Sequence, residues 1–311
     1  MGCRIEDFII KEELPVGTIR DIEVDILRTF VEFCDKHNLR YFLAGGTLIG
    51  AVRHQGFVPW DDDMDVSMPR KDFERFRELT QSGKLGNYEL RSIRHTPDLH
   101  FRPFERLVDT RYLAKVKVDQ PYMPPWLDIH ALDGVPTDYV ENSKHWDECN
   151  VLKRGSKISR KPRKKHWKLT VKKLLGCDPH RKIYKLGPLY YARELNELAK
   201  TYDFDTSEYI ASFMAGYGRK ERMPRYYFTD GEKKLYFEGI LCSVPPHYNL
   251  VLKHMYNNYL QLPKTSSRVS HVTRLWEVLP KGDENGSQIE DEPTVETLNE
   301  NSDQITNSPE D

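Results

Sequence analysis

The N-terminal part of the chain alternates between helical and extended patterns of apolar residues. From Thr18 to Asn38, apolar side chains recur three and four positions apart, which predicts an amphipathic helix that begins at the threonine. The short apolar run Arg40–Ala44 ends at two glycines and predicts a buried strand. A short helix over Thr47–Arg53 and an alternating strand over Met64–Met68 follow, and Pro69 begins another helix.

Farther along the chain, short apolar runs give way to long helical patterns and then to a final α/β unit. Helical segments are predicted over much of Asn142–Lys200. Interleaved strands and helices indicate an α/β (α+β) fold, a mixed β-sheet flanked by helices with a helical insertion at about 142–200. The predicted strands are Tyr88–Ser92, Phe104–Asp109, Trp126–Leu132 and two within Leu235–Val244, and the last helix follows Pro246.

Charge divides the chain into a basic body and an acidic tail. The whole chain has 311 residues and a formal net charge of −1. Residues 281–311 hold ten Asp and Glu against one Lys, a net charge of −9, so residues 1–280 carry +8. The tail is too polar to bury a core and is predicted to be disordered. We therefore divide the chain into a lead-in at 1–17, a folded domain at 18–280 and the tail.

Composition is that of a protein that folds in water. Hydrophobic residues make up 38% and charged residues 31%, and no segment approaches the roughly 18 consecutive apolar residues of a transmembrane helix. The start, MGCRIEDFII, lacks the basic and apolar regions of a secretory signal, and Glu6 stands where a myristoylation motif has Ser or Thr. Five scattered cysteines predict free thiols, so we expect a cytoplasmic protein.

The densest chemistry lies in the stretch GTLIGAVRHQGFVPWDDDMDV, Gly46–Val66. On a strand, Asp63 and Asp65 would project to one side, and Asp61 begins the same alternation. Converging carboxylates repel one another unless a cation binds between them, so these aspartates predict a site for Mg²⁺, or alternatively Mn²⁺. A solvated acidic turn is the plainer interpretation. An EF-hand is disfavoured because Val66 occupies its obligatory glycine position.

The residues before the aspartates suit a phosphate group. The backbone of Gly45 and Gly46 can approach an anion closely, and a helix that begins at Thr47 offers free N–H groups. A third carboxylate comes from WLDIHALDGVP, where Asp128 alternates with apolar neighbours as it would on a strand. A small-residue turn followed by Asp-x-Asp on the next strand is the order of elements in the nucleotidyltransferase fold.

The same stretch resembles the signature of the LicD family, which includes fukutin and its relatives. WLDIHALDGVP resembles a second family segment, and FEGILCSVPPHYNLVLKHMYNNYLQLP resembles the C-terminal one. The likeness spans roughly Thr18–His271 and leaves Asn142–Tyr217 poorly matched. His130 and Ala131 depart from the Phe-Pro of the family, and Asn257-Asn258 departs from its Gly-Asp. We interpret His130 as a packing residue of the core, and a change to the shape of the pocket is the alternative.

The resemblance implies a transferase. Family members move a phospho-alcohol, of the phosphocholine or ribitol or glycerol phosphate type, from a CDP-activated donor to a hydroxyl of a cell-surface or secreted glycan or glycolipid precursor, and CMP leaves. Asp63, Asp65 and Asp128 would then be catalytic, and these three with Asp61 would hold the metal. The alternatives are a nucleotidyltransferase that releases pyrophosphate and a non-catalytic, membrane-associated binding protein of the same fold.

Three further side chains between the glycines and the aspartates are candidates for contact with the donor. Arg53 and His54 are placed to contact phosphate, the arginine through two parallel hydrogen bonds. Trp60 is a candidate for stacking on the base. Packing within the loop is the alternative for His54, and support of the strand is the alternative for Trp60.

The basic segment Lys153–Lys173 contains eleven Lys or Arg and no acidic residue. It predicts contact with an anionic membrane surface, at the inner face of the membrane, or with an anionic glycan; a solvated surface run is the alternative. No recognised nucleic-acid module accompanies it, so specific nucleic-acid binding is not expected.

Overall fold

The computed structural model describes residues 3–117, 121–161, 181–213, 217–268 and 270–281. The helices among them are α1 Thr18–Lys36, α2 Gly45–His54, α3 Arg70–Leu79, α4 Tyr139–Arg160, α5 Arg181–Ala199, α6 Tyr226–Thr229 and α7 Tyr248–Tyr256. The strands are β1 Phe8–Leu14, β2 Phe42–Leu43, β3 Asp65–Pro69, β4 Lys84–Leu85, β5 Tyr88–Arg91, β6 Glu105–Val108, β7 Tyr112–Val116, β8 Tyr122–Met123, β9 Trp126–Val135, β10 Tyr209–Ala211, β11 Met223–Pro224, β12 Lys233–Phe237, β13 Ile240–Val244 and β14 Val272–Pro280.

The largest sheet is mixed, and β9 lies at its centre. Strand β9 pairs in parallel with β3 and in antiparallel with β6 and β10. Strand β2 continues the sheet beyond β3, β5 and β4 continue it beyond β6, and β11 continues it beyond β10. Helices α1 and α3 pack against β9, and α2 packs against β3. This arrangement confirms the predicted mixed sheet flanked by helices.

Apolar periodicity accounts for how α1 and α3 cover this sheet. The apolar face predicted for α1 is buried from Ile19 to Cys34, and Phe73 and Phe76 of α3 are buried beside it. Val66 and Met68 of β3 point into the same core. Because each fully buried large apolar side chain contributes about 2 kcal/mol, this face determines how the helices pack.

A second, four-stranded antiparallel sheet was not predicted. Its strand order is β1-β14-β7-β8. Strand β1 comes from the segment that the sequence suggested was only a lead-in, and it pairs along its length with β14. Since most of its residues are exposed, no alternating apolar pattern marks it as a strand.

Several boundaries differ from those predicted. Helix α2 begins at Gly45 rather than Thr47, because Gly45 has a φ of 55° and turns the chain directly from the extended Ala44 into the helix. Strand β3 begins at Asp65 rather than Met64.

Two charged segments are described only in part. The basic segment is described as far as residue 161, within and just after α4, and its residues 162–173 lie outside the described part of the chain. The predicted acidic tail also lies outside it, apart from Lys281. The role suggested for the basic segment and the disorder predicted for the tail stay predictions. No described helix combines the length and apolar character that crossing a membrane requires.

Candidate active site

Strands β3, β9 and β6 place two carboxylates and a guanidinium in one row. In the parallel pairing of β3 with β9, Asp65 lies opposite Asp128. In the antiparallel pairing of β9 with β6, Asp128 lies opposite Arg106. Residues opposite one another on neighbouring strands project to the same face of a sheet. The carboxylate predicted on the neighbouring strand therefore lies beside the aspartate cluster.

Arg106 holds the carboxylate of Asp128 with two hydrogen bonds. Its Nε donates to Oδ1 over 2.5 Å and its Nη2 donates to Oδ2 over 2.7 Å. Burial raises the pKa of Asp128, but the charge and the hydrogen bonds of Arg106 outweigh burial and keep this pKa below its usual value. Asp128 therefore stays negatively charged and is a weak proton acceptor.

Asp65 is held from α2 and from β9. Its backbone N–H donates to the hydroxyl of Thr47 over 2.9 Å, so this buried threonine supports the aspartate from inside the helix rather than marking the helix start. His130 Nε2–H donates to Asp65 Oδ1 over 3.1 Å. Because His130 lies two positions after Asp128 on β9, it shares the face of the carboxylates. The interpretation of His130 as a core packing residue was wrong.

Asp61 and Asp63 lie in the irregular segment before β3, not on the strand as predicted, yet their carboxylates still converge. Burial and the neighbouring charges of Asp65 and Asp61 raise the pKa of Asp63 well above its usual range. Burial also raises the pKa of Asp61, which is hydrogen-bonded to Asp63. Behind them, α1 contributes the fully buried Glu23, whose pKa is raised by burial and by the charge of Asp63. A divalent cation relieves repulsion of this kind.

Asp62 and His271 form a contact that the sequence did not predict. Asp62 Oδ1 accepts from the backbone N–H and the Nδ1–H of His271, over 2.7 and 3.0 Å. Its Oδ2 accepts from the Val272 N–H over 2.8 Å and from the hydroxyl of Ser270. Asp62 therefore joins the aspartate segment to the start of β14. The pair is 209 positions apart in the sequence, and no local pattern connects residues at that distance.

The contact with Asp62 also places a positive charge at the site. This hydrogen bond raises the pKa of His271 to about 9, so the imidazole is protonated at neutral pH. Its Nδ1 lies 3.9 Å from Oδ2 of Asp63. His271 therefore offsets part of the negative charge of the cluster.

The start of α2 faces the aspartates directly. A Cβ on Gly45 would lie 3.1 Å from Asp65 Oδ2, and a Cβ on Gly46 would overlap with Asp61 Oδ2. Carboxylates are stabilised at the N-terminus of a helix, where the helix dipole is positive. The close approach to α2 that was predicted for a phosphate is thus made by two of the protein's own carboxylates.

Two cavities meet at Asp128, and both are also lined by Arg102. One cavity contains Gly45, Asp65 and His130, and most of its remaining wall is apolar or aromatic. The other contains Asp63 and is rich in positively charged side chains, which are Arg91, Arg102, Arg106 and His271; His100 also lines it, but burial lowers the pKa of this imidazole to about 3. The row of Asp65, Asp128 and Arg106 therefore lies between an apolar and a cationic cavity.

Arg53, His54 and Trp60 lie beside the site rather than in it, since they line neither cavity. Arg53 Nη1 donates to the carbonyl of Tyr259 over 2.9 Å, and its guanidinium lies 5.9 Å from the ring centre of Trp60. Arg268 packs on the same indole at 4.6 Å. Arg53 lies away from the site because α2 is long: Arg53 comes eight residues after the start of the helix, and at 1.5 Å for each residue this is a distance of about 12 Å.

Comparison with known proteins agrees with this geometry. The family model described as LicD/FKTN/FKRP, nucleotidyltransferase domain, matches residues 38–160, which include β2, α2, β3, β6 and β9. The chain is 29% identical over 262 residues to the lipopolysaccharide cholinephosphotransferase LicD of Haemophilus influenzae, an alignment that covers 80% of this chain and 92% of that protein.

Shorter matches come from two uncharacterised rickettsial proteins. The one from Rickettsia prowazekii is 49% identical over 100 residues, 27% of this chain and 38% of its own length. The one from Rickettsia typhi is 38% identical over 104 residues, 29% of this chain and 34% of its own length. The domain match and the near full-length likeness to the Haemophilus protein together confirm the resemblance of the chain to the LicD family.

Proposed function

We propose that the protein is a LicD-type phosphotransferase. It moves a phospho-alcohol, of the phosphocholine or ribitol or glycerol phosphate type, from a CDP-activated donor to a hydroxyl of a cell-surface or secreted glycan precursor, and CMP leaves. The observation that carries this proposal is the row of Asp65, Asp128 and Arg106 between a cationic and an apolar cavity. A CDP-alcohol has an anionic diphosphate between two chemically different ends, and this arrangement matches it. The Haemophilus relative, named as a cholinephosphotransferase, supports the same chemistry.

Asp61, Asp63 and Asp65 are the proposed ligands of a Mg²⁺ ion, because they offer hard oxygen ligands and their crowding raises the pKa of Asp63. Among the described residues, ligand atoms lie within 4.8 Å of one another in two groups, which are Asp61, Asp62 and His271, and Asp65, Asp128 and His130. Arg106 donates a hydrogen bond to each carboxylate oxygen of Asp128. Asp128 would therefore complete the predicted ligand set only if one of these oxygens bound the ion and Arg106 together. When bound, the ion would supply neutralisation of charge on the diphosphate and on the departing CMP.

The side chains of the chain orient the two substrates. Arg102, Arg106 and His271 line the cationic cavity and would bind the diphosphate by charge and hydrogen bonding. The acceptor hydroxyl attacks the phosphorus that carries the alcohol, a phosphodiester bond forms, and the bond from this phosphorus to the oxygen of CMP breaks. The hydroxyl proton passes to a carboxylate of the cluster. Asp128, whose pKa Arg106 keeps low, is the least suited of these carboxylates to this role.

The products test this proposal. Purified protein, Mg²⁺, a glycan acceptor and CDP-choline, CDP-ribitol or CDP-glycerol should give CMP in equal amount to the alcohol phosphate transferred, with no pyrophosphate. Pyrophosphate released from CTP would instead identify a nucleotidyltransferase. Binding of a donor without release of CMP would identify a non-catalytic binding protein.

Replacement of Gly46 by alanine is expected to lower this activity about tenfold, a barrier increase of about 1.4 kcal/mol. The added methyl group would overlap with Asp61 Oδ2 and displace that carboxylate from the cluster. The rate of CMP release measures the effect. Gly17→Ala is the matched control, because Gly17 has helical backbone angles and no heavy atom lies within 4 Å of its added Cβ. Equal activity of the two variants would contradict the placement of Asp61 in the site.

A further inference from the structure

The apolar cavity contains a carboxylate that the proposed chemistry does not use. Glu221 ends the 3₁₀ turn Gly218–Glu221, lines this cavity and is only 4% exposed. Its Oε1 has no hydrogen-bond partner among the described residues. Burial raises the pKa of Glu221 to about 7, although the charges of His130 and Lys153 oppose this. A buried carboxylate without a full set of partners is costly unless a ligand completes its surroundings.

Two tyrosines line the same cavity. Tyr217 immediately precedes the turn that carries Glu221, and Tyr256 ends α7, which packs against that turn. Their rings meet edge to face, with centres 5.3 Å apart and planes at 83°. The hydroxyl of Tyr256 donates to that of Tyr217 over 3.0 Å. This hydrogen bond orients the two rings at right angles to each other, as in a cage with two aromatic walls.

The rest of the wall is mostly apolar. Deeper in the cavity, Phe42 and Phe228 pack edge to face at 5.4 Å. Further apolar side chains form most of the remaining wall, among them Leu48, Leu132, Met223, Val251, Leu252 and Met255. Besides the two tyrosines, Ser67 and Ser212 are the hydroxyl side chains that line this cavity, so it offers a polyol few hydrogen-bond partners for its several hydroxyl groups. A quaternary ammonium group has no N–H to satisfy, and it binds to aromatic faces and to a negative charge.

We propose that Glu221, Tyr217 and Tyr256 form a recognition site for a quaternary ammonium group, a proposal that rests on the proposed function. The transferred alcohol is then of the choline type. Its ammonium group occupies the apolar cavity, its phosphate reaches the row at Asp65, and the cytidine end extends into the cationic cavity. Glu221 supplies the counter-charge, and the two tyrosines supply the aromatic walls.

The test compares two donors that differ in the alcohol alone. Calorimetric titration of the full chain in Mg²⁺ with CDP-choline and with CDP-glycerol gives both dissociation constants. Glu221→Gln keeps the size of the side chain and removes its charge, so it should weaken CDP-choline about tenfold more than CDP-glycerol. Tyr256→Leu should show the same selective loss, whereas Tyr256→Phe, which keeps the aromatic face, should retain most of the preference. Glu194→Gln, at an exposed glutamate of α5, is the matched control.

The outcomes separate the two proposals. If the wild-type protein binds neither donor, the proposed function fails, and the ammonium site fails with it. If it binds CDP-glycerol as tightly as CDP-choline, the proposed function stands and the ammonium site is overturned. Equal weakening of both donors by Glu221→Gln would assign this carboxylate a structural role and would also overturn the site. If Glu221→Gln does not fold, the comparison of Tyr256→Leu with Tyr256→Phe decides in its place.

Discussion

Replacement of Asp65 by asparagine is expected to lower kcat by about a thousandfold while the fold persists. Asparagine has the same shape, and its side-chain oxygen can still accept the hydrogen bond that His130 donates over 3.1 Å. The backbone N–H at this position still donates to Thr47. What is lost is the negative charge, and with it a proposed metal ligand next to the reacting phosphate. A thousandfold loss corresponds to about 4 kcal/mol of transition-state stabilisation.

The same substitution should leave Tm unchanged or raise it when no metal is present. The charge of Asp65 raises the pKa of Asp63, so its removal relieves repulsion within the cluster. The rate of CMP release and a thermal unfolding curve in chelator measure the two effects. Asp25→Asn, at an exposed aspartate of α1, should change neither. A kcat within threefold of wild type, on the order of 0.7 kcal/mol, would remove Asp65 from the catalytic machinery.

Replacement of Arg106 by methionine is expected to lower the free energy of unfolding by about 3 kcal/mol. Arg106 and Asp128 are 15% and 13% exposed, so the variant leaves a mostly buried carboxylate without its two hydrogen bonds. Arg106 also packs over the rings of Phe104 and Trp126, at 5.7 and 5.4 Å, and methionine retains part of that contact. The destabilisation therefore comes mainly from the uncompensated charge.

Urea unfolding of a double mutant distinguishes the charge from the packing. Asp128→Asn added to Arg106→Met should recover at least about half of the lost stability, because no buried charge is then left unpaired. Arg75→Met is the matched control, since Arg75 and Glu78 form a pair at 58% and 63% exposure. That variant should change stability by less than about 0.5 kcal/mol. If the double mutant is no more stable than Arg106→Met, the ion pair does not have the role assigned to it.

Local patterns were sufficient for the elements that carry the site. The period of apolar residues predicted α1, β3 and α3, because the side chains of one buried face recur at a fixed spacing along the chain. Strand β1 shows the limit of this reasoning. It is stabilised by its partner β14 at the far end of the chain, and its own residues, mostly exposed, do not mark it.

The sequence by itself determined that Asp61, Asp63, Asp65 and the glycines before them form one dense site. These residues are close along the chain, carboxylates at this density favour a cation, and glycines allow a close approach of the backbone. Only the tertiary structure decided which groups complete it. The register of β6, β9 and β3 places Arg106 beside Asp128 and turns His130 towards Asp65. The packing of the segment before β14 against the aspartate segment brings His271 to Asp62, and the packing of α7 brings Tyr256 to Tyr217. Such contacts depend on pairing between distant segments, which local residue patterns do not specify.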